Sequence, residues 1–168
     1  MKLERVPIDS LRPHPHNYRK HPETQVAEIV ASLEQYGQYR ALVISQDDVI
    51  LAGEGVWRGL IAKGATEAEV CRMPFAHTDP RAKKLLVLDN TITRLSEDDD
   101  TQLAALLAEV QQTEGLEGTG YDDAALDALI AEVAFDPASV PTREFDENLD
   151  LSGIKKVTCP ECGHEFPL

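Results

Sequence analysis

The sequence predicts an α+β fold: a small mixed sheet with helices, followed by acidic helices and a short CxxC tail. Two observations carry this prediction. Short apolar runs typical of strands alternate with stretches in which apolar residues recur every three or four positions, as they do on a helix. The chain has 168 residues, of which 42% are hydrophobic, and this is enough for one domain with a core and appendages.

The first part of the chain predicts four strands and three helices. The strands are short apolar or alternating runs at residues 6–8, 41–45, 49–52 and 69–73, and residues 9–15 form a Pro-rich loop after the first. Helices are predicted at 22–37, 56–63 and 79–88. The first has a proline in its first turn and a glycine at its end, and the third begins with an aspartate cap followed by proline.

Two more helices are predicted near 97–110 and 122–133, each with acidic residues at its N-terminus and an apolar face. A polar, proline-containing stretch without periodicity follows and is typical of a linker. The expected organisation is a main domain (residues 1–95), an acidic helical extension (96–134), a linker (135–156) and a cysteine-containing tail (157–168).

The net charge of −14 is distributed unevenly. Residues 1–94 carry 13 Lys and Arg with 12 Asp and Glu, whereas residues 95–168 carry 3 and 18. The first part can accept an anion, and the acidic remainder predicts weak or no binding to duplex DNA. No apolar run approaches the roughly 20 residues that span a bilayer, and three cysteines make no disulfide framework. We therefore expect a cytoplasmic protein without a membrane partner.

The clearest chemical signal is an apolar strand that leads directly into Gly53-Glu54-Gly55 and then into a helix. Glycines let the backbone approach a ligand closely, and a helix start offers free N–H groups with a partial positive charge. Together these features predict a phosphate site. Arg58, one turn into the helix, adds a charged donor. The alternative is a tight strand-to-helix turn that binds nothing.

Several segments, in order, resemble ParB-like domains. Residues 16–22, His-Asn-Tyr-Arg-Lys-His-Pro, resemble the first conserved box, and residues 26–55 resemble the second, which ends at the glycine-rich loop. Leu88-Asp89-Asn90 resembles the later segment that lies near the metal and phosphates. Residues 120–129 resemble the end of ParB-like domains linked to phage and bacterial DNA methyltransferases. The resemblance covers roughly residues 3–134 and implies the ParB/sulfiredoxin-like fold.

The resemblance implies a nucleoside triphosphate, CTP or ATP, bound with Mg²⁺ at the glycine-rich loop. With the loop signal, it assigns phosphate or nucleotide contacts to Arg19, Gln38, Gly53, Gly55 and Arg58. It also assigns catalytic roles to Glu54 and Asp89, and Mg²⁺ ligation to Asp89 and Asn90. Each assignment has a plainer alternative, such as a solvated loop carboxylate for Glu54, a helix cap for Asn90 and a helix stop at Gln38.

The sequence departs from the family pattern in two respects. Val56 stands where the family usually has Arg, so one phosphate ligand is missing unless Arg58 replaces it. An acidic region follows the main domain instead of a basic helix-turn-helix, so specific operator binding is not expected. The loop also contains no cysteine, which disfavours sulfiredoxin chemistry.

The tail contains Cys159-Pro160-Glu161-Cys162-Gly163, the turn that a zinc knuckle requires. Cys159 and Cys162 are the expected Zn²⁺ ligands, with His164 as a third. The remaining ligands would come from a second chain, as in a homodimer, or from a distant histidine. An unmetallated turn is the alternative.

Two classes of function follow. The first is an enzyme of phage or prophage origin that hydrolyses a nucleoside triphosphate or transfers its phosphate. The second is a non-catalytic adaptor that works beside a DNA-modifying or partition protein. A ParB-like nuclease is less favoured, because residues 1–94 have balanced charge rather than a basic surface.

Overall fold

The computed structural model describes residues 2–134 and 156–167, and the chain divides into two units, Met1–Ala134 and Phe135–Leu168. The described strands of the first unit are β1 (Leu3–Pro7), β2 (Arg12–Pro13), β3 (Leu42–Ile44), β4 (Val49–Ala52) and β5 (Glu67–Arg72). Its α-helices are α1 (Glu23–Tyr36), α2 (Glu54–Ala62), α3 (Pro80–Ile92), α4 (Asp100–Thr113) and α5 (Asp123–Val133). The second unit contains a hairpin of β6 (Lys156–Thr158) and β7 (Glu165–Pro167).

The first unit has a mixed sheet with the strand order β1-β5-β3-β4-β2. Strands β1 and β5, and β3 and β4, pair antiparallel, whereas β3 pairs parallel with β5 and β2 pairs parallel with β4. The central strands β3, β4 and β5 supply fully buried side chains, among them Leu42, Ile44, Ile50 and Val70. This arrangement confirms the α+β fold class.

Helices α1 and α2 pack closely against each other above this core. A Cβ atom at Gly59 of α2 would lie 2.7 Å from Cγ2 of Ile29 on α1, so only glycine allows this approach. Helix α2 is thereby fixed with its first turn at the end of β4.

Helices α4 and α5 form a hairpin around a small core of Leu107, Leu116 and Leu126. The loop between them packs on α1, where the Gly118 amide donates a 2.8 Å hydrogen bond to the Glu28 carboxylate. Gly118 has φ +82°, and a Cβ there would lie 2.9 Å from the Ser32 backbone nitrogen. The first unit therefore includes this acidic hairpin.

Several boundaries differ from the sequence prediction. Strand β1 spans Leu3–Pro7 rather than residues 6–8, and helix α3 continues to Ile92 rather than ending at residue 88. Helix α2 begins at Glu54 rather than Val56, because Gly53 turns the chain at once. The predicted loop at 9–15 contains part of a 3₁₀ turn (Ile8–Ser10) and the edge strand β2, where a proline is tolerated. Helix α4 begins at Asp100 rather than near residue 97, and the Asp99 side chain caps it. The predicted linker falls outside the described residues except for Lys156, which begins β6. Within the two described ranges, every helix is too short or too polar to cross a lipid bilayer.

Candidate functional site

The turn from β4 into α2 leaves three backbone amides without helical partners. Gly53 adopts a left-handed conformation with φ +88°, and no side chain caps the helix. The first helical hydrogen bond runs from the Trp57 amide to the Gly53 carbonyl, at 3.1 Å. The amides of residues 54–56 precede it and carry the partial positive charge of the helix start.

This turn opens into a cleft of about 250 Å³. Its walls come from the loop before α1, the first half of α1, the start of β3, most of β4 and the end of α3. Outside the turn itself, the polar and charged side chains that line it are Asn17, Arg19, His21, Gln25, Arg40, Asp89, Asn90 and Thr93. The cleft therefore brings together six predicted site residues: Arg19, Gly53, Glu54, Gly55, Asp89 and Asn90.

Arg19 connects the loop before α1 to the end of α3. Its Nη1 donates to Oδ1 of Asn90 at 3.3 Å, and its amide donates to Oδ1 of Asn17 at 3.1 Å. Asn90 is buried, and Asp89 beside it is partly exposed and lines the same cleft. These oxygens are of the type that Mg²⁺ prefers, and Mg²⁺ bound to a nucleotide usually takes only one or two protein ligands. Asp89 and Asn90 fit that requirement.

The Glu54 carboxylate is buried, with 7% of the side chain exposed, and both of its oxygens accept hydrogen bonds. Its Oε1 accepts from Nε and Nη2 of Arg58 at 2.9 and 2.6 Å, and its Oε2 accepts from Nδ2 of Asn17 at 2.5 Å. The sequence predicts a phosphate contact for Arg58 and a catalytic role for Glu54. The structure pairs the two side chains with each other, one turn apart on α2, so Glu54 holds the turn to the loop that contains Asn17.

Gln38 lies apart from these residues. Its Oε1 accepts from the Glu69 amide at 2.8 Å, and its Nε2 donates to the Glu69 carbonyl at 2.7 Å. The side chain thus extends the hydrogen bonding of β5 and does not line the cleft. The structure does not bring Gln38 together with the other predicted nucleotide contacts.

Gly55 leaves room for the segment before α1. A Cβ built on Gly55 would lie 3.1 Å from Nδ1 of His21 and 3.2 Å from Cδ1 of Ile29. His21 and Arg40, which line the cleft, were not assigned from the sequence. The sequence does contain a signal for Arg40. This residue follows the glycine that ends α1 and precedes a buried strand, so its charge lies at the end of the sheet.

A second hollow, of about 270 Å³, adjoins the cleft and shares Gln25, Ile29, Arg40 and Val56 with it. Its far wall is the loop 118–120 between α4 and α5. Val56 lines both spaces. The acidic hairpin thus contributes to the surroundings of the cleft.

A histidine cluster lies outside the cleft. The His77 ring and amide both bond to the Asp47 carboxylate, which also accepts from Ser45. Burial of Asp47 opposes its ionisation, but these hydrogen bonds outweigh burial and hold the pKa of its carboxyl well below the usual range. His14 is buried, its Nδ1 accepts from the His16 amide at 3.1 Å, and its Nε2 lies 3.3 Å from the His77 carbonyl. This pattern fits the neutral imidazole, and burial lowers the pKa of His14.

We expect the first unit to lose stability as the pH falls below about 6.5, the ordinary histidine pKa. The folded chain binds a proton at His14 less readily than the unfolded chain. The free energy of unfolding is therefore highest above pH 6.5 and declines as the pH falls below it. The slope is at most about 1.4 kcal/mol per pH unit. Melting temperatures from pH 7.5 to 5.5 measure it. A His14→Gln variant should show a flatter profile than His16→Gln, which removes an exposed histidine from the same loop, and equal profiles would contradict the assignment.

The tail cysteines lie between the strands of the β6–β7 hairpin. The Gly163 amide donates to the Cys159 carbonyl at 2.9 Å, and the Cys159 amide donates to the His164 carbonyl at 2.8 Å. Gly163 has φ +72°, as this tight turn requires. Hydrogen bonds from the backbone of Cys162 and Glu161, and then from the Cys162 side chain, lower the pKa of Cys159. Within residues 2–134 and 156–167, no three His, Cys, Asp or Glu side chains group as a metal site.

Comparison with known proteins identifies the fold. No family model matches the chain. Over 55 residues it is 36% identical to the ParB-like nuclease domain-containing protein YnaK of Escherichia coli strain K12, a match that covers 33% of this chain and 63% of YnaK, less than two thirds of its length. The structure is similar to C-terminally truncated chromosome-partitioning protein ParB from Caulobacter crescentus complexed with CTP-γ-S, with a TM-score of 0.67, 14% identity and 82% of each chain covered. The chain therefore has the ParB-like fold that its sequence predicts.

Proposed function

We propose that this protein binds a nucleoside triphosphate, with the phosphates at the amides of residues 54–56 and at the Arg19 guanidinium. The observation that carries the proposal is the cleft itself. It is lined by the first residues of α2, whose amides have no helical partner, and by Arg19 and Arg40. The shared fold with a ParB solved with CTP-γ-S supports the same ligand class. CTP and ATP are both candidates.

The local charge supports an anionic ligand. The whole chain has a net charge of −14, yet two arginines line this cleft. Of the acidic residues that line it, Glu54 is neutralised by Arg58, which leaves Asp89. An acidic protein that concentrates positive charge in one cleft favours binding of an anion there.

We assign Mg²⁺ to the oxygens of Asp89 and Asn90. When bound, the ion would neutralise part of the phosphate charge. Asn90 already accepts a hydrogen bond from Arg19. The Asn90 side chain would therefore contact both the ion and the guanidinium that binds phosphate.

We further propose a binding module rather than a dedicated enzyme, working beside a DNA-modifying or partition protein in a phage or prophage setting. The hydrogen bonds of Glu54 support this role, because both carboxylate oxygens already accept from Arg58 or Asn17 and the residue positions the loop. The resemblance of residues 120–129 to methyltransferase-linked domains supports the setting. The alternatives are hydrolysis or phosphate transfer involving Asp89, which release of phosphate from the bound triphosphate would reveal. The 36%-identical relative is described as containing a ParB-like nuclease domain, so nuclease activity should be assayed as well.

For the second unit we propose Zn²⁺ bound by Cys159 and Cys162. The closed hairpin turn and the hydrogen bonds to Cys159 support two thiolate ligands from one knuckle. The His164 carbonyl accepts the Cys159 amide, and its imidazole is retained as a third candidate ligand.

A thermal-shift screen of ATP, CTP and GTP and their diphosphates, with and without Mg²⁺, tests nucleotide binding. At a ligand concentration 100 times Kd, the native state gains about 2.7 kcal/mol, a rise of roughly 5–11 °C in Tm. Gly55→Val should abolish the rise, because its side chain occupies the approach to the amides against His21 and Ile29. Ala62→Val adds the same type of side chain to the exposed end of α2 and should keep the rise. A full shift in folded Gly55→Val would refute the assignment of the turn.

A further inference from the structure

We propose that two copies of this chain share one Zn²⁺ through the turns of their β6–β7 hairpins, with Cys159 and Cys162 of each copy forming a four-thiolate site. This inference rests on the proposed zinc binding and adds the source of the missing ligands.

The hairpin carries both of its cysteines on one turn. Cys162 is exposed and Cys159 is partly exposed, and both lie between the paired residues Thr158 and Glu165. A structural zinc site is tetrahedral and closed by four ligands. A cysteine pair on one turn spans one edge of such a tetrahedron, and the opposite edge stays open to a second pair that approaches from outside.

The composition of the chain limits where that second pair can come from. The sequence has three cysteines and five histidines, and residues 135–155 contain neither type. The third cysteine, Cys71, lies in β5 between paired strands, opposite Leu3 and Val43. His14 has both ring nitrogens engaged in the first unit. These 168 residues contain no second cysteine pair, and we infer that a second copy of the chain supplies one.

Two identical turns that meet at one ion are related by a twofold axis, so the contact closes on itself and yields a dimer rather than a filament. The contact should therefore depend on the ion and separate when a chelator removes it.

Titration of the full chain with Co²⁺ under reducing conditions tests this proposal. A Cys71→Ser background leaves two thiols per chain. We expect saturation at one Co²⁺ per two chains, with the absorption of a tetrahedral four-thiolate complex that Zn²⁺ displaces. Because each chain has only two thiols, four thiolates on one ion require two chains, whatever other contacts exist. Saturation at one ion per chain with two thiolates would overturn the sharing but keep zinc binding, whereas no binding would refute both.

Two further variants in the same background identify the ligands. Cys162→Ser should lose the four-thiolate absorption and weaken Co²⁺ binding by at least roughly 100-fold, because one chain then supplies a single thiolate. His164→Ala should keep both the half-equivalent saturation and the spectrum. A changed spectrum in His164→Ala would make the imidazole a ligand and overturn the four-thiolate site.

Discussion

Replacement of Arg19 by Gln is expected to weaken nucleoside triphosphate binding by roughly 10- to 150-fold, which corresponds to the 1.5–3 kcal/mol typical of a hydrogen bond to a charged group. Arg19 lines the cleft, and its Nη1 already donates to Asn90 beside the proposed Mg²⁺ ligands. The substitution removes the charge and keeps a polar side chain. Titration calorimetry with Mg²⁺ and CTP or ATP measures the loss.

Arg94→Gln is the matched control, because it removes an exposed arginine after α3 that does not line the cleft. Its affinity should stay within about twofold of the parent, since an exposed charge at a distance is screened by salt. If Arg19→Gln binds as tightly as Arg94→Gln, the phosphates do not contact Arg19 and the proposed orientation in the cleft is wrong.

Replacement of Glu54 by Ala is expected to destabilise the first unit by about 2–3 kcal/mol, a fall in Tm of roughly 4–12 °C. The variant removes a buried carboxylate and leaves Arg58 and Asn17 without their acceptor. The estimate stays below that for a fully buried ion pair, because 45% of the Arg58 side chain is exposed. Thermal and urea unfolding measure the change.

A double-mutant cycle separates positioning from catalysis. If Glu54 positions the turn, Arg58→Ala should recover part of the cost when combined with Glu54→Ala, and nucleotide affinity should fall along with stability. If Glu54 were a catalytic base, Glu54→Gln would keep both stability and affinity and lose only phosphate release. That second pattern would contradict the role assigned from the hydrogen bonds.

Features set by neighbours in the sequence could be predicted from it. Asp79 caps α3 through the Arg81 amide with Pro80 in the first turn, as expected, and β4 meets α2 at Gly53. Caps and glycine turns depend on local backbone chemistry, so a few residues determine them. The Glu54–Arg58 pair follows from the observed helix start, because residues four apart on a helix are neighbours, but the predicted start at residue 56 left Glu54 outside the helix.

Partners distant in the sequence could not be predicted in the same way. Asn17 bonds to Glu54 across 37 positions, and Gln38 bonds to the backbone of Glu69 across 31. Each contact depends on how the sheet orders its strands, which no local pattern encodes. The packing of the 118–120 loop beside the cleft is a further case, because α4 and α5 were expected only as a separate extension.

The central claim is that the amides of residues 54–56 bind phosphate, and backbone amide chemical shifts test it most directly. A titration of isotopically labelled protein with Mg²⁺ and CTP or ATP should move these three amide resonances more than any others on α2. Their midpoint should equal that of the phosphorus resonances of the nucleotide. If the nucleotide binds while these amides stay unchanged and other residues shift, the phosphates lie elsewhere and the account is contradicted.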